Sequence, residues 1–112
     1  MALKLGNPAW RIWVAELDGS VVGFTLEQII GDALVQKRGL FVDPDMQGRG
    51  IGKLLFEESL KDIPRGATVR LSVIENNHRA KELYKKYGFV TVGYDSKSFY
   101  GSRLEVMELQ LD

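Results

Sequence analysis

Three glycines at alternate positions are the feature of this sequence with the clearest chemical meaning. They stand in the segment Leu40-Phe41-Val42-Asp43-Pro44-Asp45-Met46-Gln47-Gly48-Arg49-Gly50-Ile51-Gly52-Lys53-Leu54-Leu55, where an apolar run is followed by residues with helical spacing. Glycines remove side chains where the first N–H groups of a helix point outward, at the positive end of the helix dipole. A helix start of this kind binds anions, and a pyrophosphate is a frequent ligand. The segment therefore predicts a phosphate-binding loop, to which Arg49 and Lys53 add positive charge.

The spacing of these glycines differs from that of two common nucleotide-binding loops. A P-loop requires a glycine where Gln47 stands and a serine or threonine where Leu54 stands. A dinucleotide-binding loop, Gly-x-Gly-x-x-Gly, requires a glycine where Lys53 stands. The segment instead follows the pattern Gln-x-x-Gly-x-Gly, which predicts a phosphate-binding loop of a third kind.

The composition excludes several classes of site. The chain has 112 residues, no Cys and one His, which excludes disulfide scaffolds, thiolate zinc sites and cysteine nucleophiles and predicts no metal site. The formal net charge is +0, and nothing in it indicates nucleic-acid binding. No apolar run reaches the roughly 18 residues of a membrane span, and the first residues do not resemble a secretory signal. We expect a single domain over residues 1–112 in a cytoplasmic protein that binds neither membrane nor nucleic acid.

The hydrophobic pattern predicts the elements that position this loop. Alternating apolar residues on both sides of Asp18-Gly19 predict a β-hairpin, because that dipeptide tolerates the positive φ of a tight turn. The predicted elements, in chain order, are strands at 11–17, 20–26 and 34–42, a helix at 48–63, a strand at 68–74, a helix at 77–87, and strands at 89–94 and 103–111 around a loop at 95–102. The order β-β-β-α-β-α-β-β predicts an α/β (α+β) fold, a mixed sheet with two crossover helices.

The Gln-x-x-Gly-x-Gly loop resembles the acetyl-CoA signature of the GNAT superfamily of N-acetyltransferases. A second motif of that family is similar to the segment that runs from Asn77 through Leu83-Tyr84 to Tyr87-Gly88-Phe89. The predicted order of elements is also similar, so the resemblance covers about residues 13–111. It implies a mostly antiparallel sheet whose central parallel strand pair splays apart. It also implies an acetyltransferase that uses acetyl-CoA as donor and needs no metal.

The resemblance assigns the donor site to the glycine loop and to the splayed strands. Pantetheine would lie between the strand that ends at Val42 and the strand at 68–74, where backbone groups pair with its amides and one N–H polarises the thioester carbonyl. Asn77 would either hydrogen-bond the pantetheine arm or cap its own helix. The residues expected to bind acetyl-CoA are Leu40, Phe41, Val42, Gln47, Gly48, Arg49, Gly50, Ile51, Gly52, Lys53 and Asn77.

The resemblance also implies catalytic roles. Tyr84 stands where the family often places the acid that protonates the departing CoA thiolate, and a phenol is protonated at neutral pH. The same side chain also fits a core aromatic in the apolar stripe of its helix, Ala80, Leu83, Tyr84 and Tyr87. Ser72 occupies a position that is glutamate in some relatives, and serine cannot take a proton from an ammonium group. By its expected location Glu27 is the base, with Glu75 or a chain of water molecules as alternatives.

The sequence leaves two classes of function open. The first is an enzyme that transfers an acetyl group to a primary amine, with an acceptor that the sequence does not specify. The second is a non-catalytic acyl-CoA-binding sensor or a module of a larger assembly. Ser72 favours this second class, and so does the short N-terminal segment. Family members usually carry a strand and two helices before the hairpin, and we expect this chain to be a minimal member that lacks them.

The short N-terminal segment also leads us to expect a two-fold homodimer. The first hairpin carries Trp10, Ile12 and Trp13, and the loop at 98–101 adds Phe99 and Tyr100. Monomers rarely leave a large contiguous apolar patch in water, and two-fold symmetry is the commonest closed arrangement. We expect the partner copy to supply part of the wall of the acceptor site.

Overall fold

The computed structural model describes residues 2–5, 9–31 and 33–111. Within these residues it forms a seven-stranded sheet and two α-helices. The strands are β1 (Ala2–Leu5), β2 (Trp10–Leu17), β3 (Ser20–Ile30), β4 (Leu34–Val42), β5 (Thr68–Ile74), β6 (Val90–Phe99) and β7 (Ser102–Gln110). The helices are α1 (Ile51–Lys61) and α2 (His78–Lys86), and a short 3₁₀ turn covers Pro44–Met46.

The sheet is mixed, as predicted. Its strand order is β1-β2-β3-β4-β5-β7-β6, and β4 with β5 is the parallel pair. The other neighbours run antiparallel, and α1 and α2 connect β4 to β5 and β5 to β6. The predicted splayed pair with two crossover helices is confirmed.

Both helices pack on one face of the sheet. Phe56 of α1 lies with its ring centroid 5.6 Å from that of Tyr84 of α2 and 6.0 Å from that of Phe89. These rings cover the buried side chains of the central strands, which are Val35, Val69, Leu71, Val73 and Met107. We call this side the covered face and the opposite side the open face. The alternation of a strand sends successive side chains to the two faces in turn.

The first hairpin forms at Asp18-Gly19, where both residues have positive φ, +52° and +82°. The structure corrects the expectation that the strand before this hairpin is missing. β1 pairs with β2 from Ala2 opposite Ala15 to Leu5 opposite Ile12. Trp13, which we expected on an exposed patch, packs instead against the buried cluster of Ala15, Val22 and Leu55.

Two predictions for the C-terminal part are also wrong. The expected loop at 95–102 is mostly strand, because β6 continues to Phe99 and turns at Tyr100-Gly101 into β7. β6 is irregular between Tyr94 and Ser98, where its register against β7 shifts. Residues 95–98 are all polar, so they lack the apolar alternation that the prediction used. Leu83 does not belong to the buried stripe of α2, since its side chain is exposed.

Candidate functional site

A cleft opens where β4 and β5 separate. The two strands pair at Leu34–Gln36 with Thr68–Arg70, and no pairing between them continues beyond Gln36 in the described residues. A bulge in β4 accompanies the separation, since Leu26 lies opposite Gly39 but the next residue, Glu27, lies opposite Lys37. Such a bulge bends a strand and changes the direction of its side chains. The unpaired backbone of β4 and β5 is therefore available to an extended ligand.

Three cavities lie in series along this cleft. The first, of about 350 Å³, is lined by the glycine loop and the end of β4. The second, of about 290 Å³, lies between the splayed strands and shares Leu40 with the first. The third, of about 370 Å³, lies on the open face and shares Arg38 and Ser72 with the second. A ligand can therefore extend from the glycine loop through the cleft, and a second ligand can reach its inner end from the open face.

The glycine loop presents backbone to the first cavity. Gly48 and Gly50 have φ of +83° and +79°, in the left-handed region, and Gly50 is the N-cap of α1. Leu54 N–H donates to the Gly50 carbonyl at 3.0 Å, and this bond starts the helical ladder. The N–H groups that precede it have no partner within the helix and suit an anion. Gln47 donates its side-chain amide to the Val42 carbonyl at 3.3 Å, which ties the loop to the end of β4.

The predicted donor residues of β4 and the loop come together around the first cavity. Its lining includes Leu40, Val42, Gln47, Gly48, Gly50, Ile51, Gly52 and Lys53. Arg49 is exposed on the same loop. Phe41 is directed to the open face, where its ring lies 5.7 Å from that of Phe24, and its side chain does not line the first cavity.

Tyr84 lines the second cavity opposite Ser72 and Leu71. Its ring packs against Phe56 and Phe89, and burial raises the pKa of its phenol above the ordinary value of 10.0. No described residue is hydrogen-bonded to the phenol oxygen. The ring of Tyr84 therefore packs against the core while the residue also lines the cleft, so its position is compatible with both alternatives considered for it.

Asn77 caps α2. Its Oδ1 accepts a hydrogen bond from Ala80 N–H at 3.1 Å, and the side chain is exposed. A cap of this kind satisfies one of the first N–H groups of the helix. The amide nitrogen remains able to donate to a ligand.

Glu27 does not have the environment expected of the base. Its carboxylate is completely buried under α1 and forms ion pairs with Lys37 at 3.2 Å and with Arg11 at 3.4 Å. Of the described residues, those that line the three cavities do not include Glu27. A base must reach the proton that it removes. The buried position of Glu27 argues against a role as the base. Its carboxylate instead neutralises two buried cations.

Lys37 separates Glu27 from the cleft. Its ammonium donates to Ser59 Oγ at 2.5 Å and lies 4.9 Å from the centre of the Phe56 ring. Burial is the main cause that lowers the pKa of Lys37 below its ordinary value, and the neighbouring Glu27 opposes this effect. Lys37 lines the second cavity, whereas Glu27 does not. Lys37 is not among the candidate site residues predicted from the sequence.

Asp95 is a second residue that the sequence analysis missed. It lies in the irregular part of β6, and its carboxylate accepts a hydrogen bond from Ser72 Oγ at 3.4 Å. Ser72 lines both the cleft and the open-face cavity, so Asp95 stands beside the point where the two meet. Glu75, the other alternative base, pairs with Arg103 at 3.0 Å instead. A sequence pattern could not give the register shift that directs Asp95 toward Ser72.

Comparison with known proteins identifies what this arrangement is similar to. A family model for the acetyltransferase (GNAT) domain matches residues 8–91. Peptidyl-lysine N-acetyltransferase YjaB of Salmonella typhimurium is 36% identical over 103 residues, which is 91% of this chain and 66% of that protein. N-alpha-acetyltransferase RimI of Mycobacterium tuberculosis is 39% identical over 71 residues, which is 63% of this chain and 44% of that protein. The chain thus spans less than two thirds of the length of these curated relatives.

Solved structures are similar to the whole fold. The ribosomal-protein-S18-alanine N-acetyltransferase of Escherichia coli superposes with a TM-score of 0.83 and 23% identity, over 96% of this chain and 72% of that one. An acetyltransferase from Bacillus anthracis, solved in complex with acetyl coenzyme A, gives a TM-score of 0.76 at 23% identity over 96% of this chain and 66% of that one. At these identities the likeness establishes the fold.

In the described residues, neither helix has the length and apolar character to cross a membrane.

Proposed function

The chain belongs to the GNAT family of acetyltransferases, and on that premise we propose that it transfers an acetyl group from acetyl-CoA to a primary amine. The observation that carries the proposal is the series of three cavities, which joins the glycine loop to Tyr84 and then to the open face. A donor and an acceptor that enter from opposite sides would meet beside Tyr84. The proposal includes no metal, and the described residues contain no group of three or more metal-ligating side chains.

The first two cavities suit the two parts of the donor. The pyrophosphate of CoA would lie on the N–H groups of Ile51, Gly52 and Lys53, with the side chains of Arg49 and Lys53 beside it. Pantetheine would extend along the unpaired backbone of Leu40, Phe41 and Val42 like an added strand. One N–H of this segment would polarise the thioester carbonyl. Asn77 would donate its amide nitrogen to the pantetheine arm.

The third cavity gives the amine a route to the thioester. A neutral amine attacks the carbonyl carbon, the C–N bond forms, and the C–S bond breaks to release CoA thiolate. Tyr84 gives its proton to that thiolate. The proton lost by the amine passes to water, since Glu27 has no access to the cleft. No covalent intermediate with the protein is needed.

The test measures binding and turnover separately. We expect CoA to raise the melting temperature, because a ligand that binds only the folded state stabilises it by mass action. We then expect free thiol to be released from acetyl-CoA in the presence of primary amines. Stabilisation by CoA without thiol release for any amine would identify a non-catalytic acyl-CoA-binding module. If CoA gave no stabilisation, the donor site itself would be refuted.

A further inference from the structure

The cavity on the open face carries a specific distribution of charge. Its charged lining residues are Arg38, Arg70, Asp95 and Glu108. Arg70 and Glu108 face each other across β5 and β7 and form an ion pair at 2.7 Å. Their charges cancel within the wall. The charge offered to a ligand is therefore that of Arg38 and Asp95.

Arg38 is an arginine without an acidic partner. Its Nε and one terminal nitrogen donate to the same Gln28 oxygen at 3.1 and 2.8 Å, so a neutral amide holds the guanidinium in place. Within residues 9–31 and 33–111, no carboxylate forms an ion pair with it. A guanidinium that is hydrogen-bonded to one neutral group still has N–H donors that can bind a carboxylate.

Asp95 has the complementary character. Its two oxygens accept from Ser72 Oγ at 3.4 Å and from the Lys97 backbone N–H at 3.0 Å. In the described part of the chain no cation forms an ion pair with it. Ser72 connects Asp95 to the cleft, because its side chain lies at the junction of the two cavities. A cationic group bound by Asp95 would thus lie next to the donor cleft.

We propose that the open-face cavity binds an acceptor that carries both an amine and a carboxylate. Asp95 holds the amine, which arrives as an ammonium and loses its proton to water before it attacks, and Arg38 holds the carboxylate. The inference rests on the proposed function and specifies the substrate class for that same site. A zwitterionic ligand satisfies both unpaired charges, whereas a polyamine would bring further positive charge toward Arg38. The acceptor is therefore an amino acid rather than a polyamine or a lysine side chain of a protein.

The experiment compares each amino acid with its own amide. Wild-type protein is assayed by thiol release from acetyl-CoA with alanine, β-alanine and γ-aminobutyrate, and with the three corresponding amides. Rates are expressed per neutral amine, so that the lower basicity of an amide-bearing amine does not distort the comparison. Spermidine and a short peptide with one lysine complete the panel. The three amino acids differ in the distance between amine and carboxylate, which allows the spacing of Arg38 and Asp95 to select one of them.

We expect at least one amino acid to exceed its amide in kcat/KM by about tenfold or more, because a charge-assisted bidentate pair is lost in the amide. Arg38→Gln should remove this preference, and thermal stabilisation by CoA is measured beside it because Arg38 also lines the second cavity. Asp95→Asn should raise KM for the amino acid and for its amide alike. The control is Lys86→Gln, which removes one positive charge from an exposed position of α2 and should leave the preference intact.

The outcomes separate the inference from the proposed function. Equal kcat/KM for acids and amides, or a preference for spermidine or the lysine peptide, would overturn the inference and leave the acetyltransferase assignment standing. Thermal stabilisation by CoA without turnover of any amino acid would also overturn it. Loss of CoA stabilisation in the wild type would refute the proposed function instead. The ratio of kcat/KM between each amino acid and its amide, measured on the wild type, tests the inference even if a variant fails to fold.

Discussion

Lys37 and Arg38 are neighbours on β4, but their side chains serve opposite faces of the sheet. The Lys37 ammonium is buried under α1 and bonded to Glu27 and Ser59. The Arg38 guanidinium is exposed on the open face and bonded to a neutral amide. The same contrast holds for two carboxylates, since Glu27 is completely buried between cations whereas Asp95 is half-buried without one. Glu27 and Lys37 on the covered face are paired with each other, whereas Arg38 and Asp95 on the open face have no oppositely charged partner among the described residues.

This difference assigns separate tasks to the two faces. A charge that is buried and fully paired stabilises one arrangement of the chain and is costly to remove. A charge at an accessible cavity contributes little to stability and is available for recognition. We therefore expect substitutions on the covered face to change turnover or stability, and substitutions on the open face to change the choice of acceptor or the assembly.

The largest effect is expected at Tyr84, which lies on the covered face and reaches the cleft. Tyr84→Phe removes the proton donor and little packing, so kcat should fall by about 10²–10⁴-fold while CoA still stabilises the protein. The measurement is thiol release under single-turnover conditions. Tyr87→Phe is the matched control, because Tyr87 also packs against Phe56, at 4.9 Å, but lines none of the three cavities in the described structure.

The pH dependence gives a second readout of the same residue. Burial raises the pKa of Tyr84 above its ordinary value of 10.0, so the acid remains protonated throughout the neutral and moderately alkaline range. The wild-type rate should therefore show no decline from loss of this proton below about pH 10. A rate unchanged in Tyr84→Phe, with chemistry limiting, would mean that Tyr84 is only a core aromatic.

The next effect is expected at Glu27. Glu27→Gln removes the carboxylate that pairs with the buried Lys37, whereas Arg11 keeps its second ion pair, with Asp62. Removing one partner of a buried pair costs about 3–5 kcal/mol of folding free energy. Urea unfolding followed by circular dichroism measures this loss. Glu108→Gln on the open face breaks a partly exposed pair with Arg70, and it should cost only about 0.2–1 kcal/mol. Similar losses for the two variants would contradict the contrast between the faces.

A smaller effect is expected at the glycine loop, at the edge of both faces. Gly50→Asp and Gly50→Asn place side chains of equal size at a position with φ of +79°, where a Cβ meets nothing within 4 Å. The negative charge should repel the pyrophosphate, so CoA should bind the Asp variant about tenfold or more weakly than the Asn variant. Isothermal titration measures the difference. Equal affinities of the two variants for CoA would contradict the proposal that the pyrophosphate binds at this loop.

The sequence predicted the fold and the residues around the first cavity better than those around the open-face cavity. The proposed donor site uses backbone groups at Gly48, Gly50 and the end of β4, and glycine spacing after a strand is visible in a sequence. The acceptor cavity depends on which face Arg38 presents after a bulge and on where the register of β6 shifts near Asp95. Registers and bulges arise from the pairing of distant strands, so local periodicity does not contain them.

Glu27 illustrates the same limit. Its position in the alternation of β3 correctly predicts that it faces the same side as Thr25, but not that Arg11 and Lys37 converge on it from β2 and β4. A carboxylate that appears from the sequence to be a candidate base is therefore enclosed by two other strands. Burial of this kind is a property of the assembled sheet, and no local pattern in the sequence indicates it.

The smallest effect on turnover is expected from assembly through the open face. Phe24 and Phe41 are 40% and 50% exposed there, with ring centroids 5.7 Å apart, and such exposed apolar pairs favour association. We predict a two-fold homodimer, and Phe24→Gln should shift it toward monomer in sedimentation equilibrium at micromolar protein. Leu17→Gln, at an equally exposed apolar position beside the first turn, should not. If the wild type sediments as a 12.6 kDa monomer and still turns over acetyl-CoA, the open face serves the acceptor alone.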